Sequence, residues 1–252
     1  MFHPLKQRLA APYGLPTNQG ALAFLAEWQR VRSRAAAVQR GEHGELSRLA
    51  LTHPTDKGLT FFPFHGYTPN YERLFAAHRG RPITLLEIGL ARKRDRNNPR
   101  VTCPSLELWA DYFPQATLLG FDIDDFSNVK QPRTTIYRGD QGSPADLARV
   151  VAAHPRLDIV IDDGSHASWH QQVSLSSLWP ALAPDGLYVI EDLDSQPPAL
   201  EAALPKARRT IEVLRDPAAL APLVQGEAVE VEIFDSPLRG TRDTMACLRR
   251  RR

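Results

Sequence analysis

From residue 83 onward the apolar positions fall into short, near-continuous runs closed by acids, separated by stretches of helix length. The runs are ITLLEIGL (83–90), ATLLGFDI (116–123), RTTIYRGD (133–140), LDIVIDD (157–163) and GLYVIED (186–192). Continuous rather than alternating apolar runs mark strands covered on both faces, and strands alternating with helices mark a parallel sheet with crossovers. The third run is the most polar, as an outer strand should be. Ser143, Pro144 and Asp146 supply a cap, a first-turn proline and an acid at the third position, so a helix starts there. Ser168 and Gln171 repeat that cap-and-return spacing, and Trp169, Val173, Leu178 and Leu182 give the helix that follows an apolar side. Pro184, Asp185 and Gly186 turn the chain into the fifth run. An alanine-rich stretch at 199–222 reads as loop and helix. AVEVEIFDS (228–236) and TMACLRR (244–250) alternate, which predicts an antiparallel hairpin at the sheet edge. Five β/α units and a hairpin make an α/β, Rossmann-like, mostly parallel seven-stranded sheet with a C-terminal antiparallel hairpin.

The first part of the chain has a different rhythm. Residues 1–17 are punctuated by prolines. Asn18 caps an expected helix to about Arg34, with Leu22, Leu25, Trp28 and Val31 on one side. A shorter helix is expected around Glu45–Leu51, then an aromatic, Pro- and Gly-containing ordered loop at 53–75 and a helix from about Asn70. The expected division is a helical and loop extension, 1–80, and a larger domain, 81–252. Of the 252 residues 42% are hydrophobic and 24% charged, a globular balance, and a net charge of +2 makes no case for nucleic acid. The basic run Arg249–Arg252 reads as a solvated tail. The two cysteines, Cys103 and Cys247, lack metal-pair spacing and cannot form a disulfide scaffold. No signal-like apolar core opens the chain and no run approaches the roughly 20 residues of a membrane helix, so a soluble cytoplasmic protein is expected.

Candidate chemistry sits at the strand ends, where open α/β sheets bind ligands. Asp163 closes one strand and Glu191 and Asp192 the next. Adjacent strands lie about 5 Å apart, so these acids can surround one hard cation such as Mg²⁺. Glu191 and Asp192 can share an ion only if the strand has ended there, because consecutive strand residues face opposite ways. His166, three residues beyond Asp163, stands in reach of anything bound to that ion. Glu87 and Gly89 end the first strand; the sheet layout is similar to that of the class I methyltransferases, in which this position meets the amino-acid end of S-adenosylmethionine. Asp122 is placed to accept from ribose hydroxyls and Asp140 from an adenine amino group. For each acid, the capping of a loop amide is the competing role.

TDKG (55–58), YTPNYERLF (67–75), LLEIG, YFPQATLLGFDID, GDQ, IDDGSH and LYVIEDL, in this order, resemble the magnesium-dependent sugar O-methyltransferases of the macrocin and mycinamicin type. Rhamnosyl O-methyltransferases and a cephalosporin-pathway methyltransferase are relatives of that family. The resemblance covers about residues 53–194. It implies S-adenosylmethionine and Mg²⁺ as cofactors, Asp163, Glu191 and Asp192 as metal ligands, and His166 as general base. It also implies a sugar or glycosylated small molecule as acceptor, and a homo-oligomer. The chain departs from the family after Leu90, where a short glycine turn is replaced by ARKRDRNNPRVTCPS (91–105). Arg92, Lys93, Arg94, Arg96 or Arg100, with Ser105, can hold the methionine carboxylate in place of the glycine turn, and a solvated insertion is the competing reading. A metal-independent small-molecule methyltransferase and a degenerate binding module of the same fold stay open as alternatives.

Overall fold

The computed structural model describes residues 29–53, 55–60, 65–90, 103–235 and 243–251. The chain divides into two compact units, Met1–Glu72 and Arg73–Arg252. In the first, residues 29–39 are helical, so the start of the expected N-terminal helix lies outside the described residues. Helix α1, Gly44–Leu49, has no side-chain cap of its own, and the Glu72 carboxylate accepts from Leu46 N at 2.6 Å instead. The Ser47 hydroxyl donates to Thr68 Oγ1 at 2.8 Å, at the start of helix α2, Thr68–Phe75. Leu46, Tyr67 and Tyr71 are fully buried.

The second unit is built on strands β1 Thr84–Ile88, β2 Thr117–Asp122, β3 Thr134–Arg138, β4 Leu157–Asp162, β5 Leu182–Ile190, β6 Val229–Asp235 and β7 Thr244–Arg250. They form one sheet in the order β3-β2-β1-β4-β5-β7-β6. The first five are parallel, and β7 enters antiparallel between β5 and β6. The seven-stranded mixed sheet and its outer, more polar β3 match the expectation. The helices are α3 Pro104–Tyr112, α4 Pro144–Ala153, α5 Ser168–Leu178, α6 Pro198–Ala203, α7 Thr210–Leu214 and α8 Pro217–Leu220. Alternate strand residues face opposite layers. Leu86, Ile88, Leu119, Val160, Tyr188 and Ile190 join Leu147, Val150, Leu175 and Leu178 of α4 and α5 in one core. The aromatic rings of Phe75, Trp109 and Phe113 form a separate buried cluster.

Strand order reverses between β1 and β4. At such a switch point the connections leave to opposite faces and open a crevice beyond the strand ends. Gly89 lies there, one residue past β1. Its φ is +84°, and a Cβ on it would stand 2.0 Å from the carbonyl oxygen of Asp163. The ends of β1 and β4 therefore touch through a glycine that cannot be replaced without moving backbone.

Four local expectations need correction. Ser143 caps α4 as expected, accepting from Asp146 N, but Ser168 does not cap α5. Ala167 holds the cap position, and Ser168 N donates to the Glu201 carboxylate at 2.6 Å, so the cap comes from α6. Residues 184–186 are no separate turn: β5 runs from Leu182, and its register against β4 slips between Leu157 and Ile159, which absorbs the extra residues as a bulge. The alanine-rich stretch is three short helices and a 3₁₀ turn rather than one helix, broken at Pro205 and Pro217. The basic terminus is not a solvated tail as far as Arg250. That guanidinium donates to Leu182 O and, at 3.0 Å, to Trp179 O, and pairs with Glu227 at 2.5 Å.

Candidate active site at the strand ends

The parallel ladder continues one residue past each strand and so fixes the rim. Asp163 N donates to Ile88 O at 3.0 Å, Glu191 N to Asp162 O at 2.9 Å and Gly89 N to Phe121 O at 2.9 Å. Beyond these bonds the chain turns. His166 and Asp192 both take left-handed backbone, φ 62° and 54°. For Asp192 this settles the strand-geometry condition: β5 has ended at Ile190, and the turn carries the Asp192 carboxylate toward the β4 loop. Among the described residues of this rim, Asp163, His166 and Asp192 each bring a ligand atom within 4.8 Å of the others. His166 Nε2 lies 3.6 Å from Asp192 Oδ2, and the imidazole keeps 26% of its surface exposed. Glu191 is buried and is not a member of this cluster.

The remaining candidates spread along the same rim. Glu87 is fully buried and accepts from the Ser105 hydroxyl at 2.8 Å, which ties the end of β1 to the start of α3. Asp122 accepts from Leu90 N at 3.1 Å and Asp124 N at 2.8 Å, so its carboxylate shapes the turns after β1 and β2. Each carboxylate oxygen has a second lone pair, so this turn role leaves capacity for a hydroxyl. Asp140 is exposed and accepts from Gly142 N at 2.8 Å. Arg92, Lys93, Arg94, Arg96 and Arg100 lie outside the described residues; of that loop, Cys103–Ser105 is described.

Beneath the rim lies a polar layer that sequence reasoning did not pick out. Asp162 closes a strand buried along its whole length. Its carboxylate accepts from the Ser174 hydroxyl, from Gln141 Nε2 at 2.6 Å and from Gly164 N at 3.4 Å. Burial pushes the Asp162 carboxyl up to about 6, against the pull of these donors and of His166. Burial and the Asp162 charge together raise the Tyr188 phenol well above its usual range. Ser165 Oγ lies 2.6 Å from His170 Nδ1, and Gln171 Nε2 donates to Glu191 O at 3.2 Å. Only one signal was available in advance: an acid, a serine and a glutamine at positions the apolar pattern marks as covered need partners there.

This fold is that of the class I methyltransferases. Within that class the chain resembles the sugar O-methyltransferases of glycosylated-antibiotic pathways. It is 42% identical over 180 residues to an 8-demethyl-8-alpha-L-rhamnosyl tetracenomycin-C 2'-O-methyltransferase of Streptomyces olivaceus, a match to 71% of this chain and 46% of that protein. It is 32% identical over 200 residues to demethylmacrocin O-methyltransferase of Streptomyces fradiae, covering 77% and 49%. The solved structure of the MycE methyltransferase of mycinamycin biosynthesis, in complex with Mg, SAH and mycinamycin VI, superposes with a TM-score of 0.66 at 29% identity. That match covers 84% of this chain and 56% of MycE. The chain spans about half the length of the curated relatives it matches. No family model matches it. Among the described residues no helix is long and apolar enough to cross a membrane.

Proposed function

We propose that this chain transfers a methyl group from S-adenosylmethionine to a hydroxyl of a sugar or glycosylated small molecule, with Mg²⁺ as cofactor. The observation that carries the reading is the convergence of Asp163, His166 and Asp192 within 4.8 Å beside the sheet's switch point. The sugar O-methyltransferases it resembles, and the Mg and SAH in the MycE complex, support it. Two carboxylates and a neighbouring imidazole fit a hard divalent cation with a base beside it. We assign Asp163 and Asp192 as ligands from this cluster, and Glu191, buried and outside it, on the family resemblance of the LYVIEDL segment. When bound, the cation supplies positive charge that eases proton loss from an alcohol, and the methyl donor supplies the sulfonium carbon.

The residues do the rest. His166 Nε2 takes the hydroxyl proton, with the ring held by the backbone turn that follows Asp163. Glu87, Gly89 and Ser105 line the place of the methionine end, Asp122 that of the ribose and Asp140 that of the adenine. Holding acceptor and donor in line supplies much of the rate. We assign substrate or subunit contacts to the N-terminal extension and a homo-oligomer to the molecule, on the family resemblance of the TDKG and YTPNYERLF segments. A cytoplasmic location accords with two free, buried cysteines.

The test is methyl transfer from S-adenosylmethionine to rhamnosyl and related glycoside acceptors, followed by mass spectrometry with and without excess chelator. Transfer abolished by chelator and restored by Mg²⁺ is expected. Full activity in chelator overturns the metal role. A folded protein that binds no S-adenosylmethionine overturns the enzyme reading.

A further inference from the structure

Two loops on the rim are joined through the Gln141 side chain. The turn after β3 carries Asp140, Gln141 and Gly142, and the turn after β4 carries Asp163, Gly164, Ser165 and His166. Gln141 is buried between them. Its Oε1 accepts from Ser165 N at 3.0 Å, and its Nε2 donates to Asp162 Oδ1 at 2.6 Å and to Ser174 Oγ at 3.3 Å. The fit leaves no slack: a Cβ on Gly164 would stand 2.2 Å from Gln141 Oε1. A second bridge runs alongside, because the His170 ring that meets Ser165 also fills the space over Gly142, where a Cβ would lie 2.7 Å from Nε2. Only a carboxamide offers both the acceptor and the donors that these partners require.

We infer that Gln141 is a positioning residue that couples occupancy of the β3 turn to the setting of Asp163 and His166. A ligand that fixes the backbone at Asp140 fixes Gln141, and Gln141 in turn fixes Gly164 and Ser165, the two residues between the acid and the imidazole. The adenosyl end of the methyl donor and the metal ion thus help each other bind. This rests on the proposed reading only in that both ligands bind here.

The test measures Mn²⁺ affinity by calorimetry with and without S-adenosylhomocysteine, a neutral ligand that adds no charge repulsion. In the unsubstituted protein the adenosyl ligand should tighten Mn²⁺ within the usual coupling range of about 5–150-fold, and Mn²⁺ should tighten the adenosyl ligand by the same factor. Gln141→Met, similar in length but unable to bridge, should still bind both ligands with the factor reduced to about one. Ser174→Ala removes a neighbour of Asp162 yet leaves the link from Gln141 to Ser165, and should keep the factor. If Gln141→Met does not melt cooperatively, Gln141→Asn, which has both functions but too short a reach, takes its place. A Gln141 variant that keeps the full factor, or an unsubstituted protein that binds both ligands without coupling, overturns the inference. A folded protein that binds neither overturns the site assignment, and the coupling with it.

Discussion

His166 and Asp192 meet across the ends of β4 and β5 from two left-handed backbone turns, φ 62° and 54°, with Nε2 and Oδ2 3.6 Å apart. Residues other than glycine in this conformation cost about 1–3 kcal/mol each and persist where the surroundings fix them. The β4 turn is fixed from below by Asp162 and Gln141, and the β5 turn by Gln171 on Glu191 O. Strain held this way brings two side chains together that extended strands would have pointed apart.

Strain and chemistry separate in one variant. Asparagine tolerates left-handed backbone better than histidine and has no basic nitrogen. His166→Asn should melt in urea at a midpoint no lower than the unsubstituted protein while turnover falls by roughly 10²–10⁴-fold, the usual contribution of a general base. Turnover within a factor of a few of the original would move the proton to another group.

Gly89 tests the junction of β1 and β4. Alanine there would have to hold φ +84° and place its Cβ 2.0 Å from Asp163 O. Backbone must move, and the backbone that moves belongs to a proposed ligand. Gly89→Ala should lose on the order of 3–5 kcal/mol in denaturant unfolding, the range of the most disruptive single substitutions. Mn²⁺ affinity should fall with it. An unchanged midpoint would show that the strand ends are not in register as described.

The strands and their acidic ends were legible because a strand covered on both faces leaves an unbroken apolar run, and that run ends where the sheet does. Asp163, Glu191 and Asp192 could be placed at one rim on this basis. That Asp192, rather than Glu191, faces Asp163 and His166 depends on a left-handed turn that no residue pattern marks. The Ser143 cap was readable because cap, proline and acid are all local. Ser168 looked like a second example, but its helix is capped by Glu201, 33 residues away. Gln141 and Arg250 were missed for the same reason: their partners, backbone and side-chain groups alike, are brought close only by the fold.

Arg250 gives the third prediction. Its guanidinium reaches two carbonyls and Glu227 and lies 5.4 Å from the centre of the Trp179 ring. Removing it leaves the carbonyls of Trp179 and Leu182 without that donor. Arg250→Ala should cost about 2 kcal/mol, in the range for charged hydrogen bonds, and Arg250→Lys should recover little, since an ammonium cannot span the same fork. Arg251→Ala, at an exposed position, should stay within about 0.5 kcal/mol. Equal effects from the two alanine variants would return Arg250 to the solvated tail.

The cysteines supply a pH dependence. Cys103 and Cys247 are free and buried, and burial is the main cause that pushes both thiols up to about 12 from an ordinary value near 9. The folded chain therefore keeps protons that the unfolded chain gives up. Their contribution to stability is complete below about 9 and is lost as pH rises toward about 12, because over that window the unfolded state binds fewer protons. Below that window the thiolate, the form that reacts, is nearly absent in the folded protein. Iodoacetamide at pH 8 should thus leave both cysteines unmodified in native buffer and label both in urea. Urea midpoints should fall between pH 9 and pH 11, and Cys103→Ala with Cys247→Ala should flatten that fall. Lysines and tyrosines titrate in the same range, so the comparison with the double variant isolates the thiols. Rapid labelling of either cysteine in the folded protein would show that its thiol is not sealed in the core.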